Sequence, residues 1–179
     1  MILRTSLTAD GDAAQAGEVA VLTLHRTAAG LEVEIDAPFH GDPPPPTPPG
    51  ALDGLWAFEV VELFIASPLG AGWAYTELEF SPHGHTLTLR FSAIRARQTA
   101  TPLPHLDTAV RHEAGRWHAR ATVPVEWLPT APEWHVNACA IHGETPRRYL
   151  TATELHTPRG KPDFHRPDQF QVWAMRVSP

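Results

Sequence analysis

The sequence predicts an all-β fold: one antiparallel β-sandwich domain of jelly-roll type over residues 1–179, with little helix. Three observations predict it. Apolar and polar residues alternate with a period of two along most of the chain. Helical periodicity is scarce, and VEWLPTAPEW is the one stretch that reads as a helical turn. Some ten short strand-like runs are separated by turns rich in glycine and proline, with no linker and no internal repeat. A hydrophobic content of 42% suits a chain that folds around one sizeable core.

Taken in order, VAVLTLHRT (19–27) and LEVEIDAPF (31–39) flank the short loop AAG and form a hairpin. GDPPPPTPPG (41–50) follows. Prolines cannot donate to a sheet ladder, so this stretch is a stiff, extended loop within the domain. The same loop could be a ligand for a proline-binding partner, which would make the protein an interaction scaffold. VVELFIAS, YTELEFSP and HTLTLRFSA come next. The short links PLGAGWA and HG make them a meander of neighbouring antiparallel strands. TAVRHEA and RWHARATVPV meet at Gly115, WHVNACAIHG and RRYLTATEL follow, and QVWAMRV closes the chain.

The meander carries the candidate site. Side chains alternate faces along a strand. Phe58, Val60, Glu62 and Phe64 therefore share one face of the first strand, and Val61, Leu63 and Ile65 share the other. Tyr75, Glu77 and Glu79 share a face of the second strand, opposite Leu78 and Phe80. In the third, Thr86, Thr88 and Arg90 oppose Leu87, Leu89 and Phe91. If every apolar face looks into the core, Glu62, Tyr75, Glu77, Glu79 and Arg90 form one patch, with Trp56 at its rim. Three close carboxylates raise one another's pKa unless a cation intervenes, and Arg90 is the nearest by strand order. A solvated outer face is the plainer reading, and it suits Glu79. It suits Glu62 less, because Val60 and Phe64 flank it and a carboxylate among apolar neighbours needs a partner or a task.

Composition excludes some functions. The formal net charge is -6 and no basic stripe is visible, so nucleic acid is not an expected partner. No apolar stretch approaches membrane-spanning length, and the N-terminus lacks the pattern of a signal peptide. The expected location is the cytoplasm. The single cysteine, Cys139, excludes an internal disulfide and a multi-cysteine zinc site, and reads as a core residue. Eleven histidines are scattered without a metal-binding spacing. No cofactor is expected, although a structural cation such as calcium would relieve the carboxylate patch.

LWAFEVVELFI, YTELEFSPHGHTLTLRF, VNACAIHG, RRYL and GKPDFHRPDQF together strongly resemble an uncharacterised family of intracellular proteins found in bacteria and animals. That family is grouped with the DOMON-like sandwiches, which resemble family 9 carbohydrate-binding modules. The match covers about residues 50–170. The resemblance implies a carbohydrate-binding-module-like jelly roll and, by analogy with sugar-binding members, a saccharide ligand. It implies a stacking role for Trp56 and hydroxyl-binding roles for Glu62 and Arg90. A second clamping tryptophan is expected late in the chain, where this sequence has Phe164 and His165 instead. Haem, bound elsewhere in the superfamily through methionine and histidine, is not expected. Met175 is one of two methionines and reads as core filler.

Two late motifs complete the candidate site. IHGETPRRYL places His142 at a strand end and Arg148 at the start of the next strand. GKPDFHRPDQF is a proline-bracketed loop carrying Lys161, Asp163 and His165. The loop is expected to fold over the carboxylate patch, with Lys161 or Arg148 neutralising it. The alternative is a structural ion-pair network at the sandwich edge. The function expected is non-catalytic binding of a small polar ligand. The runner-up is a glycosidase using Glu62, Glu77 or Glu79, since retaining glycosidases place two carboxyls about 5–5.5 Å apart.

Overall fold

The computed structural model describes residues 1–174. Met175, read above as core filler, lies outside the described residues.

Among the described residues, thirteen strands form two sheets. The first contains β1 (Ile2–Arg4), β3 (Val21–Thr27), β4 (Gly30–Pro38), β9 (Thr108–Glu113) and β10 (Arg116–Pro124), in the order β1-β3-β4-β10-β9. The second contains β2 (Leu7–Thr8), β5 (Val60–Leu69), β6 (Gly72–Phe80), β7 (Thr86–Ala93), β8 (Ala96–Arg97), β11 (Glu133–His142) and β12 (Arg148–Thr151). Its order is β2-β12-β11-β5-β6-β7-β8, with β13 (Gln171–Ala174) pairing with β11. All named strand pairs are antiparallel. The expected sandwich is present, and so are the hairpin and the meander. Among the described residues, helix is limited to four 3-10 turns. One of them, Val125–Trp127, is the turn expected within VEWLPTAPEW. Another, Leu55–Ala57, takes the first residues of LWAFEVVELFIAS out of the strand.

The main core lies between the sheets. Leu22, Val33, Trp117 and Val123 from the first sheet meet Val61, Leu63, Ile65, Leu78, Phe80, Trp134 and Val136 from the second. The second sheet is also buried on its other face. There Val60, Phe64, Tyr75, Leu87, Leu89, Phe91, Cys139 and Ile141 are covered by Leu55, Leu155, Phe164 and Phe170. A strand buried on both faces reads as a continuous apolar run, which is why VVELFIAS has so few polar residues. The proline loop carries no strand. Its Thr47 carbonyl accepts a 2.9 Å hydrogen bond from His85 Nε2, and its Gly50 carbonyl accepts one from Thr86 N.

Gly30 is a steric lock between β4 and β10. Its φ is +143°, and a Cβ there would stand 1.9 Å from the Val123 carbonyl oxygen. Gly30→Ala is expected to destabilise the fold by at least about 3 kcal/mol, from backbone strain plus overpacking against an immovable carbonyl. Urea unfolding of the variant against the parent protein measures this.

Candidate functional site

The outer face of the second sheet holds a pocket of about 300 Å³, in the size range of small-molecule sites. Ladder register builds its floor. Glu62 on β5 lies directly opposite Glu79 on β6, and the next β6 position on that face, Glu77, lies opposite Phe64. Across the neighbouring ladder Glu77 faces Leu89 and Glu79 faces Leu87. Three carboxyls therefore stand side by side among apolar groups. Glu62 is 2% exposed, Glu77 4% and Glu79 0%. One oxygen from each lies within 4.8 Å of the others. Among the described residues, Glu77 Oε2 and both Glu79 carboxyl oxygens have no hydrogen-bond partner.

Such burial disfavours the charged form. Desolvation, together with repulsion from Glu77, raises the Glu62 carboxyl well above its ordinary range. Desolvation and repulsion from Glu62 and Glu77 do the same to Glu79. Desolvation pushes Glu77 to about 7, with the adjoining Glu79 carboxyl, then Arg97 and Arg95, opposing the rise.

The walls are aromatic and the rim is basic. Trp56, Phe64, Phe91, Tyr149 and Phe164 line the cavity with Arg95, Arg97 and His165. Trp56 is 41% exposed, and the Arg97 guanidinium lies 5.7 Å from its ring centroid. Arg97 also makes a two-pronged pair with Asp53, at 2.8 and 3.0 Å. Asp53 precedes the Leu55–Ala57 turn, so the pair steadies the loop that presents Trp56. Arg95 pairs with Asp163 at 2.7 Å, tying the β7–β8 turn to the loop above the pocket.

His165 is held by Tyr75. The Arg95 backbone N–H donates to the Tyr75 oxygen at 2.9 Å, and that oxygen lies 2.8 Å from His165 Nδ1. Burial keeps the phenol protonated, pushing it to about 12, and keeps the imidazole neutral, lowering it to about 4. In the tautomer in which the phenol O–H donates to Nδ1, the ring proton sits on Nε2. His165 Nε2 lies 3.9 Å from Glu77 Oε2.

The structure thus brings together Trp56, Glu62, Glu77, Glu79, Tyr75, Asp163 and His165. The 160–168 loop does cover the patch, through Pro162, Phe164 and His165. Arg90 is a correction. It pairs with Thr76, which puts it on the opposite face of the sheet from Glu62 and Glu77. The apolar face of β7 looks into the pocket rather than between the sheets, so Leu87, Leu89 and Phe91 take the place expected for Thr86, Thr88 and Arg90. Arg97, paired with Phe91 across the β7–β8 ladder, is the arginine at the pocket rim instead, and its ion pair is with Asp53.

His142 and Arg148 are further corrections. Arg148 grips Glu18 through two hydrogen bonds of 2.7 and 3.0 Å. His142 stacks on His40 with ring centroids 3.5 Å apart, and its Nε2 lies 3.6 Å from Glu18. They tie β11 and β12 to the 3-10 turn at Ala16–Glu18, and this is the structural ion-pair network weighed above. Lys161 is exposed and makes no ion pair among the described residues. Arg95, Arg97, Phe91 and Tyr149 escaped the sequence reading. The one local signal was SAIRAR, two arginines two residues apart just past a predicted strand.

The carboxyl floor makes stability depend on pH. A raised folded-state pKa stabilises the fold below the unfolded-state value and loses that contribution as pH rises through the folded-state value. In chelator-treated protein, Glu79→Gln should therefore stabilise the fold. The gain should be small at pH 5 and on the order of 2 kcal/mol at pH 8, where a buried charge must otherwise be accommodated. Thermal melts at both pH values measure it.

No family model matches the chain. The zebrafish (Danio rerio) protein "UPF0462 protein C4orf33 homolog" is 33% identical over 155 residues, covering 82% of this chain and 76% of its own length. The human protein "UPF0462 protein C4orf33" is 32% identical over 162 residues, covering 86% and 78%. Among solved structures, a candidate carbohydrate-binding protein from Bacteroides uniformis superposes with a TM-score of 0.64 at 12% identity, covering 87% of this chain and 77% of its own, which shows a shared fold. With about a third of the aligned residues identical to these relatives over more than three quarters of their length, the chain belongs to the UPF0462 family.

Proposed function

We propose that this protein binds a saccharide or sugar-like polyol in the Glu62–Glu77 pocket, in the cytoplasm, without breaking a bond in it. One observation carries the reading: the buried carboxyls of Glu62 and Glu77, with Glu77 Oε2 unpaired, stand at the floor of an aromatic-walled cavity that also holds fixed donors. Sugar hydroxyls both donate and accept, so they can satisfy a carboxyl oxygen on one side and His165 Nε2–H or an arginine on the other. The half-exposed Trp56 ring offers a platform for the apolar face of a sugar. The solved structure sharing this fold at a TM-score of 0.64 is named for carbohydrate binding, which supports the same class of ligand.

A glycosidase needs carboxyls flanking the scissile bond. Here Glu62, Glu77 and Glu79 all rise from one floor, on adjacent strands. The facing wall offers Pro162, Phe164 and His165, and Asp163 is turned to Arg95. This arrangement favours holding a ligand over cleaving it.

Calorimetry with a panel of mono- and oligosaccharides tests the proposal. Trp56→Ala should weaken binding by about 1–2 kcal/mol, roughly tenfold, through loss of the stacking surface. Its melting temperature should barely move, because the ring is half-exposed. Release of reducing ends that vanishes in Glu77→Gln would replace binding with hydrolysis. Silence across the whole panel would remove the saccharide reading.

A further inference from the structure

The carboxyl floor has more anionic capacity than its surroundings neutralise. Arg97 is committed to Asp53 and Arg95 to Asp163. Arg147 spends its donors on the carbonyls of Gly143, Trp56 and Phe58. None of these arginines bonds to Glu62, Glu77 or Glu79. A cluster of acidic side chains alone means little, but Glu79 adds a second fact. It is fully buried, and both of its carboxyl oxygens lack any partner among the described residues. Desolvating a carboxyl in this way and leaving it unbonded costs several kcal/mol, and the cost is relieved if a ligand supplies the missing contacts.

The size of that ligand is limited. Glu79 stands beside Glu62 on the same face of the sheet but, unlike Glu62 and Glu77, does not line the cavity. An amine carried on a larger molecule would meet Glu62 and Glu77 and stop short of it. A bare ion can sit among all three. The three ligand oxygens lie within 4.8 Å of one another. Oxygens on opposite sides of a calcium ion stand about 5 Å apart, so one ion spans the set. The donors are all carboxylate oxygens, which suits hard cations over zinc or copper. His165 is not among the ligand groups that converge within 4.8 Å, which are Glu62, Glu77 and Glu79.

We infer that Glu62, Glu77 and Glu79 form a binding site for one hard divalent cation, calcium by size. Its open coordination positions face the pocket, where two adjacent hydroxyls of the ligand complete the shell. The cation site stands on the carboxyl geometry alone, whereas the hydroxyl contact rests on the saccharide reading above. Three side chains leave a calcium ion short of its usual six to eight oxygens, and the cavity above Glu62 and Glu77 is where the remainder can come from.

The test uses the full chain stripped with chelator, titrated calorimetrically with calcium, magnesium and zinc chlorides and followed by thermal melting. Calcium should bind one per chain and raise the melting temperature by several degrees. Glu79→Gln should lose at least a hundredfold in calcium affinity while melting no lower than the stripped parent. That pairing separates a lost ligand from a damaged fold. No saturable binding up to millimolar calcium, or undiminished binding in Glu79→Gln, overturns the site. The saccharide panel is then run with calcium and with chelator. Binding seen only with calcium supports the hydroxyl contact. Equal binding in chelator overturns that contact while the saccharide reading survives. Calcium binding with silence from every sugar keeps the cation site and removes the saccharide reading.

Discussion

Desolvation of three carboxyls on the outer face of one sheet is the constraint around which the molecule is arranged. A carboxyl on an exposed strand face costs almost nothing, and a carboxyl under apolar cover costs kcal/mol. Here the cover is extensive. Leu55 enters from the turn before β5, and Leu155, Phe164 and Phe170 arrive from the long connection between β12 and β13. They convert what would be the wet side of a sandwich into a second core with a pocket in it. Stability to carry this burden comes from the other side of the same strands, where Leu63, Ile65, Leu78 and Phe80 pack against the first sheet. Retaining a destabilising cluster in a protein of modest net stability is the pattern expected of a binding site.

The rim shows the same economy in its hydrogen bonds. Arg97 with Asp53 and Arg95 with Asp163 join segments distant in sequence, and they close the pocket's mouth without cancelling its floor. Tyr75, itself held by the Arg95 backbone N–H, fixes the orientation of the His165 ring. The His165 ring is further held edge-on by Phe64 and Phe91, each with a centroid 5.5 Å away. Donors and platform are thus in place before a ligand arrives, which lowers the ordering cost of binding. The Glu18–Arg148 pair and the His40–His142 stack form a separate polar knot. Its carboxylate is satisfied by Arg148 and by the Gln15 backbone N–H, so it has no comparable demand for an outside partner.

Much of this was legible in the sequence, and the reason is periodicity. Alternation in VAVLTLHRT, YTELEFSP and RWHARATVPV marks strands because successive side chains point to opposite sides of a pleat. Short glycine links mark hairpins. Glu62 stood out because an ionisable residue interrupts a run that is otherwise apolar on both faces. The same alternation placed Glu77 and Glu79 on one side of their strand. The proline-bracketed loop declared its stiffness through its composition, and it does lie over the carboxyls.

Which side of each strand looks where was left to the tertiary structure. Alternation separates two faces without naming them, and the usual guess assigns the apolar face to the core between the sheets. In β7 that guess fails, because the covering segments make an apolar face useful on the outside as well. Arg90 was misplaced for that reason, while Arg97 enters through a two-residue strand too short to show a period. His142 and Arg148 went astray on a different account. Glu18, their partner, is more than a hundred residues away in sequence, and no local pattern couples charges at that separation. The sequence by itself determined the strands, their pairing by short links and the presence of a carboxylate that needs a partner. Only the fold decided which cations surround that carboxylate and which apolar groups bury it, because both are set by packing between segments whose spacing along the chain carries no signal.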